Sequence, residues 1–284
     1  MQKQILRREV PAGNKLCDDP LLDRLYRSRH IKNACQLDRT LAAIHNPNLM
    51  SGLDDAVAFL LEAYEKQQKI VIVGDFDADG ATSTALAVLA LRQLGFVNVA
   101  YLVPNRFEQG YGLSVAVAQE ALALDVELLI TVDNGVSSHE GVAFLKERGV
   151  NVIVTDHHLP PESLPSADAI INPNLAHCGF PSKNLAGVGV AFYLMLALRA
   201  KFRELGMFDA KNQPNFTELL DLVALGTVSD VVPLDQNNRI LVYQGLARIK
   251  AQRCRFGIRA LAEVAKRDLA GFSASDLGFL LHRD

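Results

Sequence analysis

The chain has 284 residues, 49% of them hydrophobic and 21% charged, with a formal net charge of -3. That is enough apolar mass for one large α/β domain, or one domain with a smaller appendage, without the basic excess of many nucleic-acid binders unless positive charge is gathered locally. The longest apolar run, Ala186 to Leu198, is shorter than a bilayer requires, MQKQILRREV has no signal-peptide core, and four scattered cysteines form no CxxC pair; no membrane span, disulfide framework or thiolate zinc site is expected, and the expected setting is cytoplasmic.

Residues 1–52 carry scattered basic side chains without a strong period and are expected to form a short helical lead-in. From Leu53, LDDAVAFLLEAYEKQQ has apolar residues at helical spacing, and the β-branched run KIVIVGD predicts a buried strand closed by Gly74. The alternation continues through helix ATSTALAVLALRQLG, strand NVAYLVP, helix LSVAVAQEALAL, strand ELLITVD, helix SSHEGVAFLKERG, strand NVIVTD and strand AIINP. This pattern predicts an α/β fold, a parallel sheet with helices on both faces. After Pro173 the chain reads as mainly helical, with AGVGVAFYLMLALRAKF, FTELLDLVALGTVSD, NNRILVYQGLARIKA and GIRALAEVAKRD.

Three alternate aspartates, Asp75, Asp77 and Asp79 in GDFDADG, repel one another unless a cation or a proton sits among them. Asp75 closes KIVIVGD, Asp133 closes ELLITVD, and Asp156 closes NVIVTD with His157 and His158 directly behind it. In open α/β sheets the functional crevice lies beyond the carboxyl ends of the strands, so five carboxylates and two imidazoles are expected at one rim. Oxygen donors mixed with imidazole suit manganese or magnesium, and the set is more than one ion needs. Two ions about 3.5–4 Å apart, sharing a carboxylate, would use it, and that arrangement supports in-line displacement at phosphorus.

Rival readings fit less well. DFDADG reproduces the start of a calcium loop, but its twelfth position is Leu86 rather than Glu and a strand precedes it. A haloacid-dehalogenase-like D-x-D-G-T fails because Ala81 separates Gly80 from Thr82. A capped polar turn needs one aspartate, not three. An isolated HH more often means two satisfied loop histidines, but here the pair follows an acid at a strand end.

In order along the chain, GDFDADG, TVDNG, TDHH and GTVSDVVPL resemble the four motifs of the DHH phosphoesterase superfamily. The wider text, including YLVPNRFEQGYGL, INPN and PSKNLAGVGVAFYLMLALR, resembles its RecJ-type single-strand-specific exonucleases from about Ile5 onward. The resemblance implies that Asp77, Asp79, His157 and Asp230 bind two ions, manganese or magnesium, with Asp133 bridging them. It implies that His158 polarises the scissile phosphate or handles a proton there, with Asp75 as a supporting acid. Many superfamily members begin the first motif with a histidine where this chain has Val73, which leaves one metal position to Asp75 or water. By the same resemblance Arg106 contacts DNA phosphate. Ser182 and the helix start at Gly187 and Gly189 would offer a hydroxyl and unpaired amides to a phosphate, although glycines chosen for close helix packing are an equal reading. The run Arg248, Lys250, Arg253, Arg255 and Arg259 is either a solvated face or a local source of positive potential.

The implied organisation is a lead-in at 1–52, a DHH catalytic domain at 53–235 and a helical segment at 236–284 leading to a second domain that the family carries past DLGF. The ending SASDLGFLLHRD reads as a truncation. The implied activity is 5′ to 3′ hydrolysis of single-stranded DNA in repair and recombination, by a monomer, with a single-strand-binding protein or a helicase as candidate partners. Two other readings stay open: a DHH-type phosphodiesterase of short oligonucleotides or cyclic dinucleotides, and a non-catalytic nucleic-acid-binding module.

Overall fold

The computed structural model describes residue 6 and residues 9–105, 107–209 and 211–280. All five expected strands form: β1 (Ile70–Gly74), β2 (Val99–Leu102), β3 (Leu128–Val132), β4 (Asn151–Thr155) and β5 (Ala169–Ile171). They pair in parallel in the order β2-β1-β3-β4-β5. Helices cover both faces, so every residue of β1 and β3 is buried. Alternation along the strands divides the core. Ile70, Ile72, Leu128, Ile130 and Ile153 face α2 (Leu53–Glu65), α3 (Ala78–Gln93) and α6 (Gly187–Glu204), whereas Val71, Val73, Leu129, Val152 and Val154 face α4 (Val115–Leu122) and α5 (His139–Lys146).

The strand order reverses at β1. The first crossover leads outward to β2 and the second returns past β1 to β3, which makes the carboxyl ends of β1 and β3 the topological switch point. Register then sets the height of the acids. Gly74 pairs with Val132 and Val132 with Thr155, so Asp75, Asp133 and Asp156, each the next residue along, stand in one row. Asn134 ties that edge together by donating its side-chain amide to the carbonyls of Val73 (3.1 Å) and Val132 (2.9 Å).

The C-terminal helices pack against the helical layer on one face of the sheet. Here α7 (Leu220–Ser229) packs on α3, α6 and α8 (Gln236–Lys250). A separate apolar cluster of Leu225, Ile249, Ile258, Phe272 and Leu277 joins α9 (Phe256–Val264) and α10 (Ala274–Leu280) to α7. Sequence pattern does not predict α10. Among its described residues the expected helical lead-in is α-helical only at α1 (Pro20–Arg27), where Asp19 accepts from the amides of Leu21 and Leu22. Elsewhere its described residues make single 3-10 turns at Ala34–Leu37, Leu41–Ala43 and Pro47–Leu49, because no repeating apolar face is present for a longer helix to bury. No described helix is long and apolar enough to cross a membrane.

Candidate metal centre

The first motif turns directly from β1 into α3. Asp77 caps that helix, its Oδ1 accepting from the Gly80 amide at 2.9 Å, and the side chain stays exposed. Gly80 is required there, because a Cβ would collide with the Asp75 carbonyl. Two residues on, Asp79 is buried and both its oxygens are held by the start of α6: Oδ2 accepts from the Gly187 amide at 2.6 Å and Oδ1 from the Val188 amide at 3.0 Å. The positive end of a helix thus compensates a carboxylate that burial penalises.

This arrangement corrects one expectation. The amides expected to meet a phosphate at that helix start are spent within the protein: Gly187 and Val188 on Asp79, Gly189 and Val190 on the Ala186 carbonyl at 2.9 and 3.1 Å. Gly187 matters for another reason, since a Cβ there would lie 2.5 Å from both Cβ and Oδ1 of Asp133. Gly189 packs against Leu185, where a Cβ would lie 2.9 Å from Cδ2. Ser182 does not join the cluster either. It is buried, and its hydroxyl donates to Asp235 Oδ2 at 2.6 Å, bracing the cap of α8. Arg106 lies outside the described residues. The basic run is partly structural: Arg255 pairs with buried Asp221 at 3.3 Å and donates to the Glu218 carbonyl at 2.6 Å.

The remaining predicted side chains converge. Asp133 leaves β3 with φ of 63°, a left-handed conformation that aspartate tolerates better than most residues. His157 Nε2 lies 3.1 Å from Asp133 Oδ1, 3.5 Å from Asp230 Oδ2 and 4.0 Å from Asp79 Oδ2. Asp230 arrives from the end of α7. Although they sit this close, Asp133 Oδ1, His157 Nε2 and Asp230 Oδ2 are buried without an aligned hydrogen bond. Three such atoms facing one another are costly unless a cation lies among them.

The ligand atoms fall into overlapping triads. Those of Asp79, His157 and Asp230 lie within 4.8 Å of one another, as do those of Asp75, Asp77 and Asp133, and those of Asp133, His157 and His158. Asp133 links the last two groups, and its 3.1 Å approach to His157 joins them to the first. The donor set, oxygens with one or two imidazoles, fits divalent ions such as manganese or magnesium.

Electrostatics agree with an acidic cluster built for cations. Burial, then repulsion from Asp77, raises the Asp133 carboxyl to about 9. Burial, then Asp133, raises Asp79 well above the carboxylate range. Burial raises Asp230 against the opposing pull of His157, and burial raises Asp75. Burial and mutual repulsion thus favour the protonated carboxyls, an effect that a bound cation would oppose.

His158 belongs to a second, polar arrangement. Its Nδ1 lies 2.7 Å from Asp156 Oδ1, and that bond pushes the imidazole up to about 9, so the ring is charged at neutral pH. Burial pushes Asp156 the other way but is outweighed by the His158 bond and by amides of Val136, His157 and His158 at 2.8, 2.7 and 3.1 Å, leaving the carboxyl below its ordinary value. The Tyr111 hydroxyl lies 3.3 Å from the Asp133 carbonyl and 3.3–3.4 Å from the His158 ring nitrogens. Sequence reasoning missed Tyr111, although its position between two left-handed glycines, Gly110 and Gly112, was a visible signal. It also missed Asn134 and Gly226, where a Cβ would lie 2.7 Å from Asp79 Oδ1.

An open parallel α/β sheet with an acidic, imidazole-bearing cluster at its switch point defines a class: a doubly wound protein with a candidate divalent-metal centre. Residues 69–227 match the DHH family, N-terminal domain, and the chain belongs to this family. It is 72% identical over 281 residues to a single-stranded-DNA-specific exonuclease RecJ of Haemophilus influenzae, an alignment covering 99% of this chain and 49% of that protein. A crystal structure of exonuclease RecJ bound to manganese is similar at a TM-score of 0.69 and 39% identity, over 81% of this chain and 55% of that one. RecJ of Thermus thermophilus in complex with Mn2+ is similar at a TM-score of 0.72 and 36% identity, over 89% of this chain and 34% of that one. The chain spans about half the length of the curated relatives it matches.

Proposed function

We propose that residues 53–235 form the catalytic core of a single-strand-specific 5′ to 3′ DNA exonuclease that hydrolyses phosphodiester bonds with two divalent cations, manganese or magnesium. One observation carries the chemistry: Asp133 Oδ1, His157 Nε2 and Asp230 Oδ2 face one another, buried and without aligned hydrogen bonds, at the switch point of the sheet. The preference for single-stranded DNA rests on similarity to the RecJ proteins, and the polarity on the motif resemblance. So do a role in repair and recombination in the cytoplasm and single-strand-binding protein or a helicase as partners of a monomer.

In this reading Asp79, His157, Asp230 and Asp133 hold one ion, and Asp75, Asp77 and Asp133 the other. Bound ions would supply positive charge against the phosphate oxygens and acidify a coordinated water. Asp133, common to both groups, would be shared between the ions. Asp79 keeps its orientation through the two α6 amides, a support that leaves no freedom to swing away. His158, its Nδ1 held by Asp156, would use its other ring nitrogen either to polarise a non-bridging phosphate oxygen or to give a proton to the departing 3′ oxygen. Attack of water at phosphorus breaks the P–O bond to that oxygen and releases a nucleotide.

Manganese-dependent digestion of single strands by this chain and by Asp133→Ala tests the proposal. The expected result is loss of both manganese binding and cleavage in the variant. Equal products from the two proteins would overturn the assignment.

A further inference from the structure

The row of strand ends has a further place at β5. Thr155 pairs with Ile171, so Asn172, the next residue along, stands level with Asp156. It is fully buried, and it is an amide where β1, β3 and β4 are each followed by a carboxylate. Its side-chain amide donates to the His158 carbonyl at 2.8 Å, and Asn174, two residues on, donates to the His157 carbonyl at 2.5 Å. We propose that Asn172 and Asn174 are positioning residues, one for each histidine, and that Lys183 holds the turn that carries them. The inference rests on the phosphodiesterase reading, in which His157 holds an ion and His158 works on the phosphate.

Three side chains together partner the whole backbone of the pair. Asp156 Oδ1 accepts from both histidine amides, and the two asparagines donate to both carbonyls. Planar peptide units held on both sides set the direction in which each imidazole leaves the chain, although the very next residue, Leu159, is 82% exposed. A bare turn would not need these donors. Asn172 Oδ1 accepts from the Asn174 amide at 2.8 Å, which closes the turn without help from either side-chain amide. Both of those amides are spent on the histidines instead. Pro173 between them has a fixed φ and no N–H, and its carbonyl accepts from Lys183 Nζ at 2.6 Å, while the Cys178 carbonyl accepts from the same nitrogen at 2.7 Å. Lys183 comes four residues before Gly187, whose amide holds Asp79. The segment entering α6 therefore steadies Asp79 directly and, through the turn, the His157 ring that lies 4.0 Å from it. Outer contacts that orient a metal ligand are worth about 10–100-fold in metal affinity.

Two variants of the 284-residue chain separate the two roles. Asn174→Ala should weaken manganese binding about tenfold by titration calorimetry. The nitrogen modulation of a manganese-bound imidazole in the electron spin echo should fade with it. Asn172→Ser keeps an acceptor for the turn but is too short to reach the His158 carbonyl. It should hold manganese within about threefold of the parent, while in the metal-free chain the downfield NMR signal of the proton between His158 Nδ1 and Asp156 should broaden or vanish. Lys183→Met, at an exposed position, removes the support of the turn and should weaken manganese in the same direction as Asn174→Ala; it provides the answer if an asparagine variant does not fold. Parental manganese affinity in Asn174→Ala or in Lys183→Met, an unchanged His158 signal in Asn172→Ser, or equal manganese losses in both asparagine variants, the mark of a general loosening, overturns the assignment. A parent chain that binds no manganese overturns the phosphodiesterase reading instead, and the His158 signal, read without metal, still decides the role of Asn172.

Discussion

Gly187→Ala is the substitution most sharply defined by the geometry. Alanine suits the helical backbone at this position, and propensity alone would favour it by up to about 1 kcal/mol. The added methyl, however, would sit 2.5 Å from Cβ and Oδ1 of Asp133, whereas carbon atoms pack at about 3.5–4.0 Å. Either the start of α6 or Asp133 must therefore move by about 1 Å. Movement of α6 strains the bonds of Gly187 and Val188 to Asp79, and movement of Asp133 disturbs its 3.1 Å approach to His157. Overpacking of this kind costs about 1–3 kcal/mol, which exceeds the propensity gain, and displaced support for a ligand costs about 10–100-fold in metal affinity. The measurements are urea unfolding in chelator and manganese titration calorimetry. A variant at least as stable as the parent, with manganese affinity within a factor of about two, would refute the reasoning.

Four more outcomes follow from the structure. The unfolded value of Asp133 is 3.8 and its folded value about 9, so its contribution to metal-free stability declines as pH rises between them, by up to about 1.4 kcal/mol per pH unit. His158, raised from 6.5 to about 9, works in the same direction over its narrower window; stability in chelator should fall from pH 7 to 9, the fall should be shallower in Asp133→Asn, and a flat profile for the parent would contradict both assignments. Asp77→Asn keeps the α3 cap and should lose manganese affinity at parental stability, whereas Asp77→Ala should lose about 1 kcal/mol as well; equal stabilities for the two variants would discount the cap. Asp221→Ala removes the acceptor of the Arg255 amide and one partner of its guanidinium and should cost about 1–3 kcal/mol in urea unfolding with manganese affinity unchanged. With saturating manganese the pH trend should weaken or reverse, because a bound ion competes with the proton of Asp133; calorimetry in buffers of different ionisation enthalpy would detect the released proton.

The sheet and its acidic row were legible because both depend on local pattern. Continuous apolar strands such as IVIV announce burial on both faces, and an acid at each strand end falls at the same height once the strands pair in parallel. Asp230 was legible only by resemblance. It comes from the end of α7, and nothing in a helical period says that the helix will dock over the rim of a sheet. The start of α6 was misjudged for a related reason: GVGV has the look of an anion site, but the anion it binds is the protein's own Asp79. Tyr111 and Ser182 were opposite errors of context, one overlooked among loop glycines and the other offered to a substrate when its hydroxyl braces a helix cap.

The bond between Asp79 and Gly187 joins residues 108 positions apart. During synthesis the aspartate leaves the ribosome well before the helix that restrains it, and Asp230 later still. A partly made chain therefore carries Asp79, Asp133 and His157 without the Asp230 that completes their cluster. The acidic cluster is therefore assembled by late tertiary docking of α6 and α7, not by the strands that carry most of its side chains.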